Sequence, residues 1–421
     1  MNILSNIDIK KIKTEAQAAL QVLPFPNKKN EDWKYTQISA FMLEKYTLAE
    51  SHGVSKEIID SYLIKELNSY KIVFIDGVFS PDFSHYSENE ITVLPFSKAA
   101  ADEKWASIFL EKFNSLTDKN RYFTELNTVF FQEGNLIYIP ENKSVGKPVE
   151  LLYLNTSQDD EAMQSIRTLF VVGKNSQVSM TVQIQTLSAK EFLTNKVTEI
   201  FIGENAHFRL YKIQDDTHTA NLIDTVFVQQ QANSEAFVHT FSFGGKTTRN
   251  ELSFDHQGEN INSTLKGITI IGEGQEVGNH TIVQHNQPNC ESHELYRGIY
   301  NGTAHGIFNG QIKVHEIAQK TNAFQQNNNL LLSDRARIDT KPQLEIFADD
   351  VKCSHGCTVG QLNDDALFYM KQRGIHEKEA KALLMYAFCS DVIETVTIPE
   401  LKDKVNRMIA QKLNVEIDFE F

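Results

Sequence analysis

Cysteine is scarce: Cys290, Cys353, Cys357 and Cys389 are the only four in a chain of 421 residues. A disulfide framework packs small exported domains far more densely, so none is expected. Positive charge is in deficit too, with 41 basic against 55 acidic side chains and a formal net charge of −14. A protein that neutralises phosphates needs a basic face, which argues against nucleic-acid binding. Long apolar runs are missing. A membrane-spanning helix needs about 20 apolar residues in a row, and the longest notable run, Leu383 to Cys389, has seven. The opening Met1-Asn-Ile-Leu-Ser has no basic stretch leading into an apolar one, so no export signal is expected. These shortages together predict reduced thiols in a soluble, cytoplasmic protein.

With 41% hydrophobic and 23% charged residues the chain can build an ordinary globular core. At roughly 150 residues per domain, its length suggests two or three domains. Three zones follow from texture, at 1–125, 126–358 and 359–421. The first reads as mostly helical from Asp8 to about Trp105, because Ile9, Ile12, Ala16 and Ala19, then Ile58, Ile59, Leu63 and Leu67, recur at helical spacing. The middle zone reads as many short strands, such as Leu169-Phe170-Val171-Val172 and Val178-Ser179-Met180-Thr181-Val182, broken by Gly and Asn. The last zone turns helical again. Asn363 is placed to cap a helix ending at Arg373-Gly374, a second helix runs from about His376 to Thr395, and a third opens on Pro399 and runs to about Leu413.

A polar turn recurs through the strand zone. It contains Asn175, Asn205, Asn233 and Asn260, spaced 30, 28 and 27 residues apart, and Ser333-Asp334-Arg335-Ala336 reads as a later copy in imperfect register. Such a period marks stacked repeats, and strands joined by polar turns suggest a β-solenoid, with a two-layer sandwich as its rival. Asn suits these turns because it tolerates positive φ.

Two apparent motifs fail on inspection. Gly244-Gly245-Lys246-Thr247 imitates the end of a phosphate-binding loop, but Thr240 replaces the required first glycine and strands flank both sides. His293-Glu294 and His315-Glu316 begin like zinc-protease helices, yet Arg297 and Gln319 stand where the second histidine belongs. No nucleophile elbow is present. The richest stretch is Asp349 to Cys357. As a strand it puts Cys353, His355 and Cys357 on one face, about 7 Å apart along it. Thiolate and imidazole suit iron, zinc or an iron–sulfur intermediate, but three groups so spaced do not chelate one ion without a partner's help. The alternative is two small buried thiols and a bonded histidine. Of His280, His285, His293, His305 and His315, at least four are expected to be surface or satisfied residues. The stripe Leu383, Leu384, Ala387 and Phe388 reads as core packing, or as a docking groove.

The run Lys341-Pro342-Gln343-Leu344-Glu345-Ile346, with Asp349 to Gly356, Thr358-Val359-Gly360-Gln361 and Ala366-Leu367-Phe368-Tyr369, closely resembles the SufB/SufD family of the Suf iron–sulfur cluster assembly machinery. Glu31-Asp32-Trp33-Lys34-Tyr35-Thr36 and Arg373-Gly374-Ile375 resemble it too, so the likeness spans nearly the whole chain. The SufD branch is favoured because His355 stands where SufB proteins carry a cysteine. The resemblance implies a mainly β fold: a right-handed parallel β-helix core flanked by amino- and carboxy-terminal α-helical domains. It implies a non-catalytic scaffold that pairs with SufB at the end of the β-helix and binds the ABC-type ATPase SufC through its carboxy-terminal helices, for which Leu383, Leu384, Ala387 and Phe388 are the candidates. Cys353 and His355 would hold transient iron or an iron–sulfur cluster at the SufB interface, with nothing tightly bound to the isolated chain. Cys357 stands where a small residue such as alanine is expected. It is read as a neutral replacement, with a third thiol ligand as the alternative. A homodimer of the isolated chain is left open, and the rival function is a carbohydrate-active β-helix enzyme.

Overall fold

Strands with apolar side chains on both faces need cover on both, the usual setting of parallel sheets. In the computed structural model, which describes residues 9–413, that cover comes from stacking. The Met1-to-Ser5 stretch read for an export signal lies outside those residues. Two ten-stranded sheets form the walls of a β-solenoid, and from Gly134–Ile139 onward each strand pairs with the strand two places along in the chain. The first wall includes Ala162–Val172, Phe192–Ile202, Ala220–Gln230, Thr247–His256, Glu276–His285, His305–Val314 and Arg337–Ile346. The second includes Gln177–Thr186, His207–Gln214, Glu235–Ser242, Asn262–Ile271, Glu291–Tyr300, Asn322–Leu331 and Lys352–Gly360. Pairing between these coils is parallel and in unbroken register. The solenoid expected from the turn period is therefore present, and the sandwich is not.

The turn from first wall to second holds one left-handed residue per coil. Asn142, Asn175, Asn205, Asn233, Asn260 and Asn289 fill the position, then Lys320, with φ between 55° and 64°. Side-chain amides tie the row together: Asn175 Nδ2 donates to Asn142 Oδ1 at 2.8 Å, and Asn205 Nδ2 to Asn175 Oδ1 at 2.9 Å. The Ser333 turn belongs elsewhere. It leads from Asn322–Leu331 to Arg337–Ile346, on the opposite edge, where Gly245, Gly274 and Gly302 take positive φ. Its poor register with the Asn turns follows from that.

Helices cover both outer faces. Phe96, Trp105, Phe109 and Phe113 pack on Leu136, Leu169 and Phe201 of the first wall, and Phe41, Phe123 and Leu126 on Met163, Leu193 and Ile223. The carboxy-terminal helices Glu377–Ile393 and Pro399–Lys412 lay Met385, Cys389, Val392 and Leu401 on Tyr211, Phe241, Ile268 and Ile299 of the second. The amino-terminal zone is less helical than its spacing suggests. Helices Ile9–Val22 and Lys56–Tyr62 form, but Tyr70–Ile75, Val78–His85 and Thr92–Pro95 are strands of the two walls. Ile72, Val73 and Phe74 are consecutive and all buried, as a strand covered on both faces requires.

The Asn row yields a test. Alanine at Asn205 must hold φ near 56° with a Cβ and without the amide bond. Asn205→Ala should cost about 1–2 kcal/mol, read from urea midpoints, and Asn205→Gly distinctly less. Equal losses would exclude backbone conformation as the reason for Asn.

Candidate functional site

A stack of parallel coils has two ends, and here they differ. At the amino-terminal end Val78–His85 runs antiparallel to Tyr70–Ile75, and Thr92–Pro95 antiparallel to Gly134–Ile139, closing both walls. At the other end Arg337–Ile346 pairs only with His305–Val314, and Lys352–Gly360 only with Asn322–Leu331. Each of these last strands has one edge without a strand neighbour among the described residues. Ile346, Phe347 and Val359 are large exposed hydrophobics there.

Lys352–Gly360 carries the residues singled out from the sequence. Register pairs Cys353 with Ala323, His355 with Gln325 and Cys357 with Asn327, all three partners buried. The alternation thus puts Cys353, His355 and Cys357 on the inward face of the last coil. Their surroundings differ. Cys353 is half-buried among Ile312, Val314, Ala323 and Ala348, and burial pushes its thiol up, against a smaller lowering from the Ala323 backbone. His355 and Cys357 are exposed, because no further coil covers them.

Beneath His355 lies a polar column. Glu294, Gln325 and His355 are consecutive register partners on three adjacent strands. Gln325 Nε2 donates to Glu294 Oε1 at 3.2 Å, and Thr281 Oγ1 to Glu294 Oε2 at 2.6 Å. Gln325 Oε1 is buried with no hydrogen-bond partner, so it offers an acceptor on the layer next to the His355 imidazole. An imidazole whose second nitrogen can be fixed by a layer below is suited to ligation. A cleft of about 850 Å³ adjoins, lined by Arg209, Lys266, His293, Phe324 and His355. His293 stacks on Phe324 with ring centroids 5.5 Å apart. Cys353 and His355 thus sit two residues apart on one strand face, the first a half-buried thiol whose burial favours its neutral form and the second an exposed imidazole.

The helical stripe divides. Leu383 and Ala387 are exposed and Leu384 is half-buried, while Phe388 is half-buried against the second wall with the Arg297 guanidinium 5.0 Å from its ring centroid. Phe368 and Tyr369, on helix Asp364–Gln372, are more exposed than Leu383. Their exposure was not legible from helical spacing. Most of the histidines have partners. His305 bonds Glu276 and Asp339, His280 meets Arg249, His293 stacks, and His285 meets His256. The Glu31-to-Thr36 motif is itself held against the first wall. Arg249 lies 3.8 Å over the Trp33 ring and donates to the Asp32 carbonyl. Gly244-Gly245 is a turn between strands, as its flanks require.

Glu294 allows a pH test. Burial lifts its carboxyl from 4.5 to about 7, outweighing the bonds from Thr281 and Gln325. The folded state therefore binds this proton more tightly than the unfolded state, and stability from it is lost as pH rises from about 4.5 through 7. Glu294→Gln should gain on the parent between pH 5 and pH 8, by at most about 3 kcal/mol, measured by urea unfolding of both. A pH-independent difference would contradict this.

Among the described residues, no helix is long and apolar enough to cross a membrane. Residues 4–151 match the family described as "SufBD protein N-terminal region", and residues 153–388 match "SUF system FeS cluster assembly, SufBD core domain". An iron–sulfur cluster assembly SufBD family protein of Synechocystis is 30% identical over 92% of this chain and 87% of its own length. The iron–sulfur cluster assembly protein SufD of Escherichia coli is 28% identical over 95% and 92%, and that of Bacillus subtilis 24% over 96% and 94%. The carbohydrate-active reading gains no support from these matches. With its two-walled solenoid and both domain matches, the chain belongs to the SufBD family of iron–sulfur cluster assembly proteins, of the SufD type.

Proposed function

We propose that this chain is a non-catalytic, cytoplasmic scaffold subunit that pairs with a SufB-type subunit through the open end of its solenoid and carries a SufC-type ABC ATPase on its carboxy-terminal helices. The observation that carries the reading is the pair of unsatisfied edges, Arg337–Ile346 and Lys352–Gly360, with His355 on the second. A strand edge recruits a partner through main-chain hydrogen bonds, and exposed Phe347 and Val359 would add apolar contact. Burying this end against a partner would place Cys353 and His355 in an interface, where a second chain's thiolate completes a ligand set for iron or a nascent cluster. That cluster is cargo. Arg209 and Lys266 in the adjoining cleft suit an anionic sulfur-bearing species.

The ATPase reading rests on Phe368, Tyr369, Leu383 and Ala387, exposed on two successive helices. ATP-driven dimerisation of two such ATPases would draw the scaffold subunits against each other. The helix Glu377–Ile393 is packed directly on the second wall, so that pull would reach the sheet carrying His355.

Co-expression with SufB- and SufC-type partners, size-exclusion chromatography and anaerobic absorption spectra test this reading. A coloured complex is expected, with His355→Ala lowering cluster content several-fold. Because His355 is exposed, its removal should change stability by less than about 0.5 kcal/mol. A chain that elutes alone, or a complex whose cluster content ignores the substitution, would refute the pairing or the ligand role respectively.

A further inference from the structure

One buried cluster lies away from the open end and plays no part in the reading above. His256 and His285 end successive strands of the first wall and are register partners, while Cys290 immediately precedes the strand Glu291–Tyr300 of the second. All three are fully buried. Each offers one ligand atom, and the three atoms lie within 4.8 Å of one another. The rings meet edge to face, with Nδ1 to Nδ1 at 3.3 Å and ring planes at 84°.

Hydrogen bonds set the first ring's tautomer. Ser263 Oγ donates its proton to Gln230 Oε1 at 2.6 Å, so at 2.7 Å it accepts from His256 Nε2–H. His256 Nδ1 therefore carries a lone pair and, in the metal-free chain, accepts from His285 Nδ1–H at 3.3 Å. His285, which donates from Nδ1, accepts at Nε2 from Ser292 Oγ at 2.9 Å, and the two serines are themselves register partners. Ligating histidines are oriented in this way by a bond to the far nitrogen. Burial keeps both rings neutral, His285 down at about 3, and neutral imidazole is the ligating form.

Cys290 reaches the pair because of the turn. It follows left-handed Asn289, at the position held in other coils by Ser176, Ala206, Ser234, Ile261 and Thr321, all buried. Ser176, Ser234 and Thr321 settle their hydroxyls on a carbonyl three residues back. Only in this coil do a thiol and two imidazoles coincide, since the adjoining register partners of the histidines are Gln230 and Val314.

We propose that His256, His285 and Cys290 form an internal binding site for one borderline divalent metal ion of the zinc class, tying two adjacent coils together. Zinc takes nitrogen at about 2.0–2.1 Å in a tetrahedron, whose N···N edge is then about 3.3–3.4 Å; the imidazole nitrogens already stand at that spacing. The thiol must swing inward from its bonds to the Gly258 and Pro288 carbonyls. Metal binding moves the His285 proton from Nδ1 to Nε2, where it faces Ser292 Oγ, breaks the bond between the two rings, forms two M–N bonds and one M–S bond, and releases the thiol proton to solvent. Two nitrogens and one sulfur favour zinc or iron(II) over calcium or magnesium, and leave a fourth position open.

Co²⁺ tests the site in the full-length chain, stripped by chelation and kept reduced. One Co²⁺ per chain is expected, with thiolate-to-cobalt charge transfer and the intense visible bands of tetrahedral geometry. Cys290→Ser should abolish the charge-transfer band, and His285→Gln should weaken binding at least tenfold. The Cys353→Ala/Cys357→Ala double variant should leave both unchanged. X-ray absorption of the cobalt-loaded parent reads two nitrogen neighbours and one sulfur neighbour even if a variant fails to fold. No bound Co²⁺, or a band that survives Cys290→Ser and disappears with Cys353 and Cys357, would overturn the assignment.

Discussion

Everything in this chain depends on one constraint: a coil of a parallel solenoid satisfies its backbone only by lying on another coil. Each strand gives and takes hydrogen bonds with the coil before and the coil after, so side chains stack in columns on their own counterparts. The Asn row, the Glu294–Gln325–His355 column and the His256–His285 pair are three uses of that rule. A residue's chemistry is set less by its sequence neighbours than by the residues about 30 positions away.

Columns also allow charge inside. Lys196 and Lys212 flank Asp224 at 3.3 and 2.9 Å within the solenoid, and Arg167 meets Glu199 at 2.8 Å, all buried. Desolvating such groups costs several kcal/mol each, and removing one partner strands the other. Arg249, Glu251 and Arg121 do the same work under Trp33. Burial alone would raise Glu251, but the two guanidiniums hold its carboxyl at about 2. The amino-terminal segment is therefore locked to the wall by charge as well as by aromatic packing.

Much of this was legible in the sequence, for identifiable reasons. The turn residues could be found because left-handed backbone selects Asn, and selection of residue type leaves a period. The period was lost after Asn260 because Asn289 and Lys320 continue the row while Ser333 starts a turn on the other edge. Alternation correctly put Cys353, His355 and Cys357 on one face, but could not tell that the first is half-buried and the others exposed. That difference depends on where the stack stops. The strand Tyr70–Ile75 was hidden because Ile72, Val73 and Phe74 are consecutive and all buried, which leaves no alternation to read. His256 escaped notice because a lone histidine carries no signal; only its separation from His285 by one coil would have marked it.

The unequal ends give the molecule a direction. In a one-dimensional stack, stability is a sum over neighbouring interfaces, and a terminal coil has only one. The amino-terminal end is closed by antiparallel strands, whereas among the described residues no strand pairs beyond the last coil. Opening therefore starts at the carboxy-terminal coil, and amide exchange should quicken along the solenoid toward it. On the proposed pairing, the strand that bears His355 would gain its second neighbour only on assembly, and its order would then be a consequence of binding.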